Sequence, residues 1–135
     1  MNSVAGIARE GDRYFIARRI PGGAMGEKWE FPGGKTEEGE SDGEALVREY
    51  AEEFAVPIRV GEFLGTASFV HKGRRRILNA YRISFLKTDF RLNEHSEWRW
   101  AALEEMERLD FVDSDRKLFD ALRTEALKTK THPQT

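Results

Sequence analysis

The sequence predicts an α/β fold in which a mixed sheet is covered by helices on both faces, and two patterns carry that expectation. Short runs rich in β-branched and aromatic residues are separated by glycine, proline and polar turns, as strands are. Interleaved with them are two segments whose apolar residues recur at helical spacing. Elements alternating in this way bury a sheet between helix layers.

Taken in order, Ser3 to Ala8 is short and apolar and Arg13 to Arg18 alternates, with Gly11-Asp12 as a turn signal, so the two are expected to form a hairpin. Ile20 to Lys28 carries Pro21, Gly22, Gly23 and Gly26 and is expected to be a loop. Trp29 to Pro32 is a short extended piece entering a glycine turn. After Pro57, β-branched and aromatic residues run to Val70, a basic tip spans His71 to Arg76, and Ile77 to Leu86 returns as the partner strand. Glu97 to Ala101 alternates as a strand behind the polar loop Asp89 to Ser96. A short helix is expected over Leu103 to Arg108. Leu118, Phe119, Leu122, Ala126 and Leu127 define a final helix from about Ser114, and the tail 129–135 is expected to fray from a single domain spanning residues 1–128.

The most informative stretch runs from Gly33 to Val56. Ser41 and Glu44 form a capping box that starts a helix, while Pro57 biases Val56 away from helical angles. At about 100° per residue, Leu46, Val47, Tyr50, Ala51 and Phe54 share one face, with Arg48, Glu49, Glu52 and Glu53 opposite. Glu49 and Glu53 sit four apart, which destabilises an isolated helix by roughly 0.2–0.5 kcal/mol, and Arg48 offsets only part of that charge. A positive group is therefore expected at the patch. An acidic helical face is more commonly only a solvated surface, so the patch by itself does not establish a site.

Composition narrows the function classes. The 135 residues suit one domain, and 22 Lys and Arg against 24 Asp and Glu leave a net charge of −2, too balanced for a nonspecific grip on a nucleic-acid polymer or an anionic membrane. No cysteine is present, which excludes disulfides, thiolate metal sites and a cysteine nucleophile. No apolar run approaches a transmembrane span and the start lacks a signal-peptide pattern, so a cytoplasmic protein is expected.

The spacing of Gly34, Glu40, Arg48, Glu49, Glu52, Glu53 and Val56 resembles the Nudix box, the signature of hydrolases that cleave a nucleoside diphosphate linked to another group. Two positions depart from that pattern: Tyr50 stands for an aliphatic residue and Ala55 for a glycine. The resemblance implies the Nudix fold, an α/β/α sandwich. It also implies Mg²⁺, with Mn²⁺ as an alternative, held by Glu49, Glu52, Glu53 and the carbonyl of Gly33. Hard carboxylate oxygens are the donors such ions prefer. Arg48 is implied to orient the carboxylates or pair with Glu40. A general base comes from the box or from a later loop glutamate, which Glu94 resembles, with Glu97 as competitor; His95 beside it is a further candidate base, with an exposed loop residue as the default reading.

Trp29-Glu30-Phe31-Pro32-Gly33-Gly34-Lys35 resembles the MutT-type branch, which hydrolyses nucleoside triphosphates to monophosphate and pyrophosphate and in part removes oxidised nucleotides. By that resemblance Arg18 and Lys35 contact phosphates, Phe31 faces the base and Asp115 reads it. The residues alone leave other readings open: Arg18 as a solvated strand residue, Phe31 as core, and Asp113 or Ser114 as a helix cap. The four cations between Lys72 and Arg76 read as a solvated turn, with contact to the triphosphate as the alternative. Other expectations compatible with the box are ADP-ribose or a dinucleoside polyphosphate as substrate, or a noncatalytic nucleotide-binding domain. A monomer or homodimer is expected.

Overall fold

The computed structural model describes residues 2–131, with side chains through residue 125. In chain order the elements are β1 (Ser3–Ile7), β2 (Arg9–Glu10), β3 (Arg13–Arg19), β4 (Trp29–Glu30), β5 (Gly33–Lys35), α1 (Asp42–Phe54), β6 (Ile58–His71), β7 (Arg74–Phe85), β8 (His95–Ala102), α2 (Leu103–Arg108), α3 (Asp113–Arg116) and α4 (Phe119–Thr131). One sheet has the order β5-β1-β7-β6, with β1 parallel to β7 and antiparallel to β5. In the second, β3 pairs β2 and β4 along one edge and β8 along the other, all antiparallel.

Both faces of these sheets are covered, as the α/β/α expectation requires. Val4, Phe15, Ala17, Ile58 and Ile83 pack against Ala45, Leu46, Tyr50 and Phe54 of α1. On the other side Ala5, Ile7, Tyr14, Ile16, Leu78 and Ala80 pack with Met106 of α2 and with Leu118, Phe119 and Leu122. The central part of β3 therefore buries alternate residues into different layers, and Tyr14 to Ala17 is an unbroken buried run rather than an alternating strand.

Four expectations are corrected. β1 does not form a hairpin with β3; the chain changes sheets at Ala8, and only Arg9-Glu10 pairs back across the Gly11 turn. Gly33 to Lys35 is a strand, because a Cβ on Gly33 would meet the Val4 carbonyl at 1.9 Å and only glycine lets β5 pair so closely with β1. The basic segment is strand nearly to its end: His71 pairs Arg74 around a two-residue Lys72-Gly73 turn, both with positive φ, as a tight hairpin needs. The final helix is divided into α3 and α4, and α4 runs through Thr131; residues 132–135 of the expected tail lie outside the described residues. No helix among the described residues is long and apolar enough to cross a membrane.

Helix α1 starts as expected. The Ser41 hydroxyl accepts from the Glu44 backbone N–H and the Glu44 carboxylate accepts from the Ser41 N–H. Its buried stripe is Ala45, Leu46, Tyr50, Glu53 and Phe54, turned away from Val47 and Ala51, so Glu53 goes into the interior. Tyr50 is accommodated by Gly6, whose carbonyl accepts from the Tyr50 hydroxyl at 3.0 Å and whose missing Cβ would lie 2.8 Å from that ring. The far end closes on Ala55 in the left-handed region, φ 57°, with its N–H donating to the Ala51 carbonyl. That conformation costs an L-residue roughly 1–2 kcal/mol, and glycine gives back part of the gain through its freer unfolded chain. Ala55→Gly should therefore raise unfolding stability by about 0.5–1 kcal/mol in denaturant titrations; an equal or lower stability would contradict this account of the helix stop.

Candidate active site

Where the sheets meet, a cleft opens with two lobes that share Arg19, Glu30 and Gly33. The polar lobe is lined further by Ile20, Pro21, Gly22, Glu49, Glu53, Asn93, Glu94 and His95. The other is mainly apolar, walled by Val4, Phe31, Phe69, Leu78 and Val112, with Lys35, Arg76 and Asp115 at its edges.

Glu53 reaches the polar lobe from the buried side of α1, only 3 % exposed. Burial is the main force pushing its carboxyl far above the usual range, reinforced by a hydrogen bond with Glu49 and by the charges of Glu30 and Glu94. Glu49 is placed by backbone geometry. A Cβ on Gly34 would sit 2.4 Å from the Glu49 carboxyl carbon, so the glycine makes the room this side chain fills. Arg48 then fixes it: its guanidinium grips Glu40 through Nε and Nη2 at 2.8 and 2.9 Å, donates to Glu49 at 2.7 Å and to the Lys35 carbonyl at 3.0 Å. That pairing, before all else, drops the Glu40 carboxyl to about 2. Glu52 is half-exposed, 3.5 Å from Arg48, and does not line the cleft.

The loop before β8 is tied onto the end of α1. Backbone N–H groups of Arg91 and Asn93 donate to the carbonyls of Phe54 and Glu53, and the Asn93 amide donates to the Glu52 carbonyl, satisfying helix-end acceptors. This delivers Glu94 to the polar lobe, whereas Glu97 turns to Arg18 at 3.4 Å. A register shift between Arg18 and Arg19 sets Arg19 opposite His95, and a bulge there re-aims side chains. Arg19 enters both lobes; Arg18 lines neither and donates to the Glu27 carbonyl. His95 is buried, not exposed as expected: its ring stacks on Phe54 at 5.1 Å, and Nε2 lies 2.8 Å from Glu30 and 3.7 Å from Glu53. Ligand atoms of Glu30, Glu53 and His95 all lie within 4.8 Å of one another.

In the apolar lobe, Phe31 is buried and its N–H donates to Asp115 Oδ2 at 2.9 Å, while the Ser114 hydroxyl donates to Oδ1 at 3.2 Å. The bridge from Trp29 to Phe111 brings these two segments together. Burial first, then the charge of Glu30, raises the Asp115 carboxyl to about 8. Asp113 opens α3 as its first residue, with Val112 rather than Asp113 at the cap. Lys35 lines the apolar lobe only. Of the expected residues, Glu49, Glu53, Glu94 and Gly33 share one lobe, Phe31, Lys35 and Asp115 the other, and Glu52 and Arg18 stand outside both. Glu30, His95 and Arg19 are additions. Glu30 lies in the MutT-type stretch with no role expected of it there, His95 is a candidate base expected to be exposed, and the bulge that brings in Arg19 leaves no local signal.

The family model for the NUDIX domain matches residues 2–122. The chain belongs to the Nudix family. It is similar to the CTP pyrophosphohydrolase of Escherichia coli, 30 % identical over 118 residues covering 87 % of each chain. The 8-oxo-dGTP diphosphatase of Proteus vulgaris is 32 % identical over 83 residues, 62 % of this chain and 74 % of that one. Among solved structures it resembles the solution structure of the E. coli ORF135 protein, with TM-score 0.82 and 31 % identity, covering 91 % of this chain and 88 % of the other. This Nudix domain is a hydrolase.

The Glu40 pairing has a consequence for stability. Its carboxyl is depressed in the fold, so its contribution is full above the unfolded value of 4.5 and is lost as pH falls toward about 2. Glu40→Gln should therefore be less stable than wild type at pH 6, with the difference in urea midpoint closing as pH drops through 4.5. A difference that stays constant down to pH 3 would contradict it.

Proposed function

We propose that this Nudix hydrolase cleaves nucleoside triphosphates to nucleoside monophosphate and pyrophosphate in the cytoplasm, acting as a monomer or homodimer. The observation that supports this best is the pairing of an acidic polar lobe, which suits metal-bound phosphates, with an adjoining apolar lobe suited to a base. Relatives named for CTP and 8-oxo-dGTP favour a triphosphate, including oxidised ones.

The donor set fits a divalent cation. Glu49 and Glu53 bring two carboxyls together beside Gly33, where a proton on Glu53 hydrogen-bonds Glu49 and a bound cation can take that proton's place. Oxygen donors favour Mg²⁺ or Mn²⁺ over softer ions. Glu49 and Glu53 with the Gly33 carbonyl are the proposed ligands, and Glu52 joins by a rotation of its exposed side chain. Held there, such an ion would neutralise phosphate charge and lower the pKa of water.

The chain's own residues do the rest. Arg48 holds Glu49 through the Glu40 clamp and does not touch substrate. Glu94, exposed at the mouth of the lobe, takes the proton from the attacking water. Arg19, paired with Glu30 at 3.0 Å, lines both lobes and suits the phosphate chain better than Arg18, which lines neither. Lys35 contacts the substrate from the apolar lobe. Phe31 contributes to the base wall from beneath, and Asp115 meets a base edge with whichever lone pairs Phe31 and Ser114 leave free.

Glu53→Gln should lower Mg²⁺-dependent kcat/KM for the best nucleoside triphosphate by about 100-fold or more, since loss of groups supporting a metal already costs 10–100-fold. Pyrophosphate release at the wild-type rate would overturn the metal assignment. Arg19→Ala should raise KM about 10-fold, as lost charge-assisted hydrogen bonds do, with Arg18→Ala within twofold of wild type. The reverse order would return the phosphate contact to Arg18.

A further inference from the structure

Arg76 occupies a position built for an apolar side chain. On β7 it shares a face with Leu78 and Ala80, which are 5 % and 2 % exposed, and across the hairpin its pair is Phe69, on the same face as buried Ala67. A guanidinium at such a register position ordinarily meets a carboxylate. Here Nε is shielded from water and has no hydrogen-bond partner, and no ion pair to the Arg76 guanidinium occurs among the described residues. The neighbouring Arg75, by contrast, donates to Ser68 in solvent. A buried donor left unpaired calls for an explanation, and the side chain lines the apolar lobe.

We propose that Arg76 is a specificity-determining residue that donates to a carbonyl oxygen of the substrate's base; this rests on the triphosphate hydrolase reading above. It faces the base and not the phosphates, because it lines the lobe with Phe31, Phe69 and Asp115 and is absent from the polar lobe that holds Glu49 and Glu53. Two kinds of group therefore bound the same lobe: fixed donors from Arg76, and carboxyls from Glu30 and Asp115. A base that offers an acceptor on one edge and an amino donor on another satisfies both. Guanine and cytosine each carry a carbonyl and an exocyclic amine; adenine has no carbonyl. Arginine is also the side chain whose fork matches guanine's O6 and N7. The Nε–H is shielded from water even in the open lobe, so the donors that meet a base are the other N–H groups of the guanidinium, which has no carboxylate partner among the described residues.

The test uses monophosphates, so that it reads recognition apart from hydrolysis. Dissociation constants for GMP, CMP and AMP are measured by calorimetry on wild type, Arg76→Ala and Arg76→Lys. The expected result is that wild type binds GMP or CMP more tightly than AMP, and that Arg76→Ala weakens that preferred nucleotide by about 5–100-fold, the range of one specific base contact, with AMP changed less than twofold. Arg76→Lys should recover part of the preference. Equal weakening of all three, no change in any, or a wild type without preference over AMP overturns the proposal. Absent triphosphate hydrolysis by wild type, with GMP or CMP discrimination intact and lost in Arg76→Ala, would sink the hydrolase reading alone and leave this one standing.

Discussion

The arrangement depends on carboxyl groups that packing forces together where water cannot separate them. Glu53 rides on the buried stripe of α1, so the hydrophobic contacts of Leu46, Tyr50 and Phe54 that seat the helix also drive this acid inward. Each such aromatic or aliphatic side chain contributes about 1.5–3 kcal/mol on burial, enough together to hold one unfavourable group in place. Glu49 follows through the space left at Gly34, and Glu30 and Glu94 add charge from the opposite walls. Arg48 is spent on Glu40 and Glu49 at the edge. The centre of the lobe stays short of positive charge, which is the condition a cation site needs.

The rest of the fold can be understood as support for that strain. The loop from Arg91 to Asn93 occupies the last carbonyls of α1, so one set of hydrogen bonds both ends the helix and brings Glu94 and His95 to the lobe. The register shift at Arg18 and Arg19 then sets Arg18 opposite Glu97 and Arg19 opposite His95, and of the two only Arg19 lines the cleft. Stability and site geometry are set by the same contacts here, which explains why departures at Tyr50 and Ala55 are tolerated: Gly6 and a left-handed cap absorb them without moving a carboxylate.

Much of this was legible in the sequence. The capping box, the box glutamates and the helical spacing around Leu46, Tyr50 and Phe54 act within a few residues of one another, so local rules find them. Those rules misplaced Val47 and Ala51, because the inward face is chosen by what the sheet presents, and Phe15 and Ile83 pull the stripe toward Glu53. They placed His95 in an exposed loop, because its burial depends on Phe54 and Glu30 at distances of 41 and 65 in sequence. They also read Arg76 as part of a solvated turn, since four neighbouring cations conceal which one faces inward. Residues brought in by strand register leave no local trace, and the two-lobed cleft is a product of register.

The fold holds Glu49 and Glu53 together at a cost that a divalent cation would relieve. Denaturant unfolding with and without Mn²⁺, on wild type and Glu53→Gln, tests it directly. Without metal the variant is expected to be the more stable of the two, and Mn²⁺ to stabilise wild type while leaving the variant nearly unchanged. A wild type indifferent to Mn²⁺, and a variant less stable than it in chelator, would contradict it.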